Sequence, residues 1–350
     1  MAEHNHDINV SQEFANRFPQ IKHLLVLPDV FKVFDGYDRI AKRYKFLYQA
    51  LGIASLVIGL FSMLGVVAEL LFESLKWELP TKVAMAIELS ALLAILIIAF
   101  DCLVLRTRSN YLSACFAREQ IRLWRFQLFI DGRFVENVAK DRVNAREECQ
   151  TRWQTFKEAL KLLKGAQEDF VRRRTVPIDL NHHDTPYTDP VIAKQVFDAL
   201  LVLRFNYQAQ YARSLTAAET PGRIVALRSQ FDWSETLARL GLLGALILPA
   251  IQLFVIKIEA HTLHASLSAA ALALVALSAT ARAYRTGLTL PEEIESYEEY
   301  TAHIDTLREL FLMSGTSDER KREILKELET EAARELRRFL AMKSKSTFVV

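Results

Sequence analysis

Four polar side chains interrupt stretches of sequence that are otherwise apolar: Glu69, Glu88, Asp101 and Gln252. A charge held at membrane depth is costly, so such a residue faces water, a polar partner or the interface. The chemistry open to these four is the handling of ions or water rather than the making of bonds. Glu69 and Glu88 lie towards one end of their segments, where hydration is easy, and an interfacial role is the plainer expectation for both. Asp101 lies about 20 Å along a helix from Glu88. That brings it near Arg106 and Arg108, either as a partner in a local ion pair or as an acidic group at the mouth of a conduction path. Gln252 follows Pro249 by about one turn and calls for a partner helix or a water-filled lumen.

Constellations for catalysis are missing. The chain holds no GxxxxGK[ST] loop and no GxGxxG motif, so nothing predicts a nucleotide-hydrolysing or dinucleotide site. His182, His183 and Asp184 are adjacent, but they fall in a Pro-, Asp- and Asn-rich stretch with no second ligand cluster, which reads as a solvated loop. Cys102, Cys115 and Cys149 form neither CxxC nor an even framework, as expected of a reducing compartment. Formal net charge is only +2, which gives no electrostatic footprint for nucleic acid. The expectation is a protein that is not an enzyme, with no cofactor and no metal.

The elements that carry the polar four are apolar runs. Residues 50–68 contain no charge at all, and a helix of about 20 apolar residues crosses the ~30 Å of hydrocarbon in a bilayer. A buried helix of a soluble bundle would keep a polar stripe, which residues 50–68 lack. Residues 83–105, 240–256 and 263–281 supply three further spans, the last rich in Ala and Ser. In that last span Ala269, Ala273 and Ala276 are small enough for close helix approach and packing between copies, so a homo-oligomer is expected. Short links pair the spans into two hairpins. Arg39, Lys42, Arg43 and Lys45 precede the first span, and Arg106, Arg108 and Arg118 follow the second. Arg228 and Arg239 precede the third, and Arg282 and Arg285 follow the fourth. Basic residues stay on the cytoplasmic side, so both termini and the long central segment are predicted to be cytoplasmic, with Trp77 in the opposite headgroup belt.

The remainder reads as amphipathic helices. One follows the second span and stops at Gly132; another runs over about 134–173 and carries Val138, Val143, Trp153, Phe156, Leu160 and Leu163, several of them at the three- or four-residue spacing of an amphipathic face. Pro190 opens a helix to about Leu215, and Pro291 opens one to about Met313. Thr316 with Glu319 forms a capping-box pattern for a last helix over about 317–342. The fold class expected is all-α: an integral membrane protein with two transmembrane helical hairpins and long cytoplasmic helices. Its predicted organisation is an N-terminal segment 1–36, a first hairpin unit 37–174 with spans about 48–72 and 83–105, and a linker 175–189. A second unit, 190–350, has spans about 238–257 and 262–281 and a C-terminal helical hairpin.

Two stretches carry a resemblance. YDRIAKRYKFLYQALGI (37–53) leads into the first span, and NYLSACFAREQIRLWRFQLF (110–129) follows the second; together they resemble the SLATT family of bacterial two-transmembrane proteins. RAYRTGL and ESYEEYTAHIDTLRELF, after the fourth span, are similar to that family's post-membrane helices. The resemblance implies a pore-forming effector of anti-phage or nucleotide-signalled conflict systems in the bacterial inner membrane. Its partners would be lipid, further copies of itself, and a nucleotide messenger or a partner protein. Family members commonly have one hairpin where this chain has two. The rival reading is a non-enzymatic sensor or scaffold that anchors a partner protein.

Overall fold

A computed structural model describes residues 7–77, 80–162, 170–171, 185–216, 227–255, 261–346 and 348. Among these there is no strand. The helices are α1 (Gln12–Asn16), α2 (Lys22–Leu25), α3 (Pro28–Ser74), α4 (Thr81–Phe100) and α5 (Thr107–Gln127), with a π-turn, π1 (Asp101–Leu105), between α4 and α5. They continue as α6 (Gly132–Lys140), α7 (Arg142–Leu162), α8 (Pro190–Leu200) and α9 (Tyr207–Thr216), with π2 (Leu201–Asn206) between α8 and α9. The last four are α10 (Leu227–Val255), α11 (His261–Leu288), α12 (Leu290–Leu312) and α13 (Asp318–Lys345).

Local chemistry sets several starts. Asp189 accepts from the amides of Val191 and Ile192, and Pro190 sits at the first helical position, where its missing N–H costs nothing. Ser317, not Thr316, caps α13: its Oγ accepts from the amide of Arg320 at 3.2 Å, while Thr316 donates its hydroxyl back to the carbonyls of Leu310 and Met313. The expected single helix over 134–173 is broken at Asp141, whose backbone is extended (φ −127, ψ 97). The sequence carries a trace of this break, since Val138 and Val143 are spaced five apart, out of helical phase. Gly132 does not end α5. It opens α6 behind the cap Asp131, and its lack of a side chain admits the backbone of Pro186, which a Cβ would meet at 2.7 Å.

Contacts divide the chain into two compact units. The first comprises Met1–Arg43, Ser109–Ile224 and Glu293–Ser344; the second comprises Tyr44–Arg108, Val225–Glu292 and Lys345–Val350. In the first unit, Ile121 and Trp124 of α5, Trp153 and Phe156 of α7, Val196 and Phe197 of α8, Ile304 and Phe311 of α12, and Ile324 and Leu328 of α13 share one apolar core. Trp124 stacks on Phe156 with centroids 5.2 Å apart.

The second unit holds four stretches long and apolar enough to cross a membrane, lying within Lys22–Ser74, Thr81–Leu105, Leu227–Leu253 and Thr262–Leu312. Their large side chains point outwards: Phe61, Ile95 and Leu246 are each 64% exposed, and Leu253 is 70% exposed. A chain in water would hide such a continuous apolar surface, whereas lipid is its natural solvent. Helices α10 and α11 pack closely. A Cβ on Gly241 would stand 2.8 Å from the Leu274 carbonyl oxygen, and one on Gly244 would stand 2.6 Å from Leu274 Cδ1. Ser278 donates to the Ala238 carbonyl at 2.8 Å, and Gln252 meets Ser268, so contacts step down α11 as they step up α10. Gly65 of α3 similarly accommodates Ile87 of α4.

Candidate functional site

Asp101 opens π1, which closes on Arg106 in the left-handed region (φ 47). The Asp101 carboxylate accepts from both the amide (3.2 Å) and the hydroxyl (2.7 Å) of Thr107, and its own carbonyl accepts from the Arg106 amide. A carboxylate at this position satisfies a free N–H of α5 and meets the positive end of its dipole. The ion pair expected with Arg106 or Arg108 is not formed among the described residues; Arg108 instead donates to the Ser346 carbonyl at 2.7 Å. Arg106 takes the left-handed turn between them, and Thr107, the first residue of α5, supplies the partners of the carboxylate.

Gln252 has found a partner helix. Its Nε2 donates to Ser268 Oγ at 3.1 Å and to the His264 carbonyl at 3.4 Å. Glu69 and Glu88 are both exposed on otherwise apolar helices, and neither has an ion pair among the described residues. Ala276 is buried, while Ala269 and Ala273 are half-buried. Gly241 and Gly244 also give close helix approach, opposite Leu274 and Ser278. Two glycines three residues apart in an apolar run were the available signal for that contact.

No protein-family model matches the chain, and neither a curated protein nor a solved structure matches it. Among the described residues no cluster of three or more His, Cys, Asp or Glu is placed to hold a metal. His182, His183 and Asp184 lie outside the described residues.

Sequence reasoning overlooked the buried charges of the first unit. Arg204 of π2 makes a two-pronged pair with Glu329 of α13, Nε to Oε1 at 2.6 Å and Nη2 to Oε2 at 2.8 Å, both residues buried. Arg122 pairs with Asp7 at 2.9 Å, and Arg118 pairs with Asp38 at 2.8 Å. Arg125 donates to the carbonyls of Ile8 and Leu25. Between α12 and α13, Ser296 donates to Glu335 at 2.8 Å. Burial pushes the Glu335 carboxyl up to about 7, against the opposing pull of Ser296 and Arg338. Arginines spaced through amphipathic helices read as a solvated face, and only tertiary packing turns them inward.

Proposed function

We propose that the protein is a non-enzymatic membrane effector: α3, α4, α10 and α11 cross the bilayer as two hairpins, copies assemble, and the assembly permeabilises the membrane. The observation that carries this reading is the exposed Glu88 carboxylate. In the 25-residue stretch Thr81–Leu105, centred in the bilayer, Glu88 sits about 7 Å from the midplane at 1.5 Å per residue. That is inside the ~30 Å hydrocarbon layer, deeper than the interfacial position expected from its place near the end of the apolar run. A carboxylate against acyl chains is unfavourable, whereas on a wet path between copies it is hydrated, and a ring of acids favours cations. Gln252 and Asp101 bond within one chain, so such a path would be built between copies rather than inside a single chain.

The Lys and Arg distribution supports an orientation with both termini and the first unit in the cytoplasm. The SLATT-like resemblance supplies the setting: the inner membrane of a bacterium, in an anti-phage or nucleotide-signalled conflict system. The first unit's helices would sense the messenger or partner protein.

The test is ion flux through the purified full chain in liposomes. Cation-preferring flux is expected, with selectivity lost in Glu88→Gln. Labelling should reach Trp77→Cys from outside and Ser317→Cys only from inside, and the reverse pattern would overturn the orientation. An inserted chain that passes no ions would leave the second reading, a sensor or scaffold that anchors a partner protein. The internally satisfied Gln252–Ser268 pair favours that alternative, because an anchor needs no hydrated path.

A further inference from the structure

The ring of Phe348 is buried between two glycines far apart in sequence. A Cβ on Gly52 of α3 would stand 2.3 Å from Phe348 Cδ2, and one on Gly287 of α11 would stand 2.3 Å from Cδ1. Neither position has room for a side chain while the ring is there. Tyr48 meets the ring edge-on with centroids 5.2 Å apart, and its hydroxyl lies 2.8 Å from Ser346 Oγ. Arg108, in the first turn of α5, donates to the Ser346 carbonyl at 2.7 Å. Around the ring, Leu56, Ala283, Leu288 and Leu290 form an apolar cluster, bordered by Leu227 and Phe231 of α10. Residues 346 and 348 thus engage α3, α5 and α11 directly, and α10 through the cluster.

We infer that Ser346 and Phe348 form a detachable strap, and that Gly52 and Gly287 are the two walls of its socket. The docked ring holds α3 and α11 in one arrangement, and its release frees them to move. Socket and strap have matched chemistry: two bare backbone surfaces for the flat faces of a ring, an aromatic edge partner, and hydrogen bonds at the adjoining serine. One ring and a few hydrogen bonds make an attachment that can open without unfolding the helices it joins. The inference draws on the effector reading only in linking helix arrangement to activity, and the strap is tested without it.

Nitroxide labels on Ala50 of α3 and Thr286 of α11, both exposed, report their separation in the full chain, freed of its native cysteines and held in lipid nanodiscs. The unaltered strap should give one narrow distance distribution. Phe348→Ala should broaden it and shift it to longer distance. Gly52→Ala evicts the ring from the opposite side with Phe348 intact and should reproduce that shift, so a folding defect peculiar to either variant is recognised. Combining the two should add nothing further. An unchanged distribution in both single variants overturns the strap. Ion flux on the same variants separates the two ideas: a shifted distance with no flux upholds the strap and counts against the effector reading.

Discussion

The carboxamide of Gln252 and the hydroxyl of Ser268 bond across the α10–α11 pair, Nε2 to Oγ at 3.1 Å and Oγ to Oε1 at 3.3 Å. The amide thereby links the two helices. Gln252→Leu is expected to leave ion selectivity unchanged and to loosen the pair by roughly 1 kcal/mol, the usual size of such bonds between membrane helices. Unfolding in detergent measures the loss, and reversal potentials under a salt gradient measure selectivity. A shifted reversal potential would return Gln252 to the conduction path.

Gly241 and Gly244 bring α10 close to α11. Gly241→Val should separate α10 from α11 and cost several kcal/mol, because its Cβ would meet backbone at 2.8 Å. Ala273→Leu, at a half-buried position, tests packing between copies instead. Mass measurement in detergent should show a smaller assembly for Ala273→Leu with its unfolding midpoint preserved. An intact assembly would assign this face to lipid.

The Arg204–Glu329 pair makes a sharp prediction for the first unit. Arg204→Met leaves a buried carboxylate unmatched and should destabilise by about 3–5 kcal/mol. Adding Glu329→Leu should restore most of the loss. Chemical denaturation followed by circular dichroism reads both, and a double variant as weak as the single would show that the two residues act independently.

Glu335 predicts a pH dependence. Its folded carboxyl is raised from 4.5 to about 7, so the protonated form is favoured by folding. The stability it contributes is fully present below 4.5 and is lost as pH rises through about 7. Between pH 5 and pH 8 the wild type should therefore lose about 1–3 kcal/mol more than Glu335→Gln, whose side chain does not titrate. Parallel slopes for the two proteins would refute it.

The four apolar stretches were legible because length and lack of charge suffice to mark them, as residues 50–68 illustrate. The continuous helix from the basic stretch at 39–45 into the first span was legible too, and is seen as α3. Polar partners were not. Charge alone matches Asp101 to Arg106, but the nearer competitors are the amide and hydroxyl of Thr107, and a π-turn leaves no periodic trace in composition. Nor does spacing reveal that Arg204 turns inward, since its partner Glu329 lies 125 residues away. Phe348 gives no signal because a single aromatic carries no period at all, and the glycines that receive it are scattered.

Like Lys76 (φ 55), Arg106 (φ 47) and Thr289 (φ 52) are non-glycine residues in the left-handed region, and these two stand where α4 with π1 and α11 give way to the next helix. Such geometry costs non-glycine residues about 1 kcal/mol, and more when the side chain branches at Cβ as threonine does. In a saturation library scored for folded protein, the landscape should invert at these two sites. Glycine and asparagine, poor choices within most helices, should rank at or above the native residue, while valine and isoleucine should be depleted. Proline should be worst, for its ring cannot reach a positive φ. Such a library would thus read the sign of two backbone angles from survival counts alone.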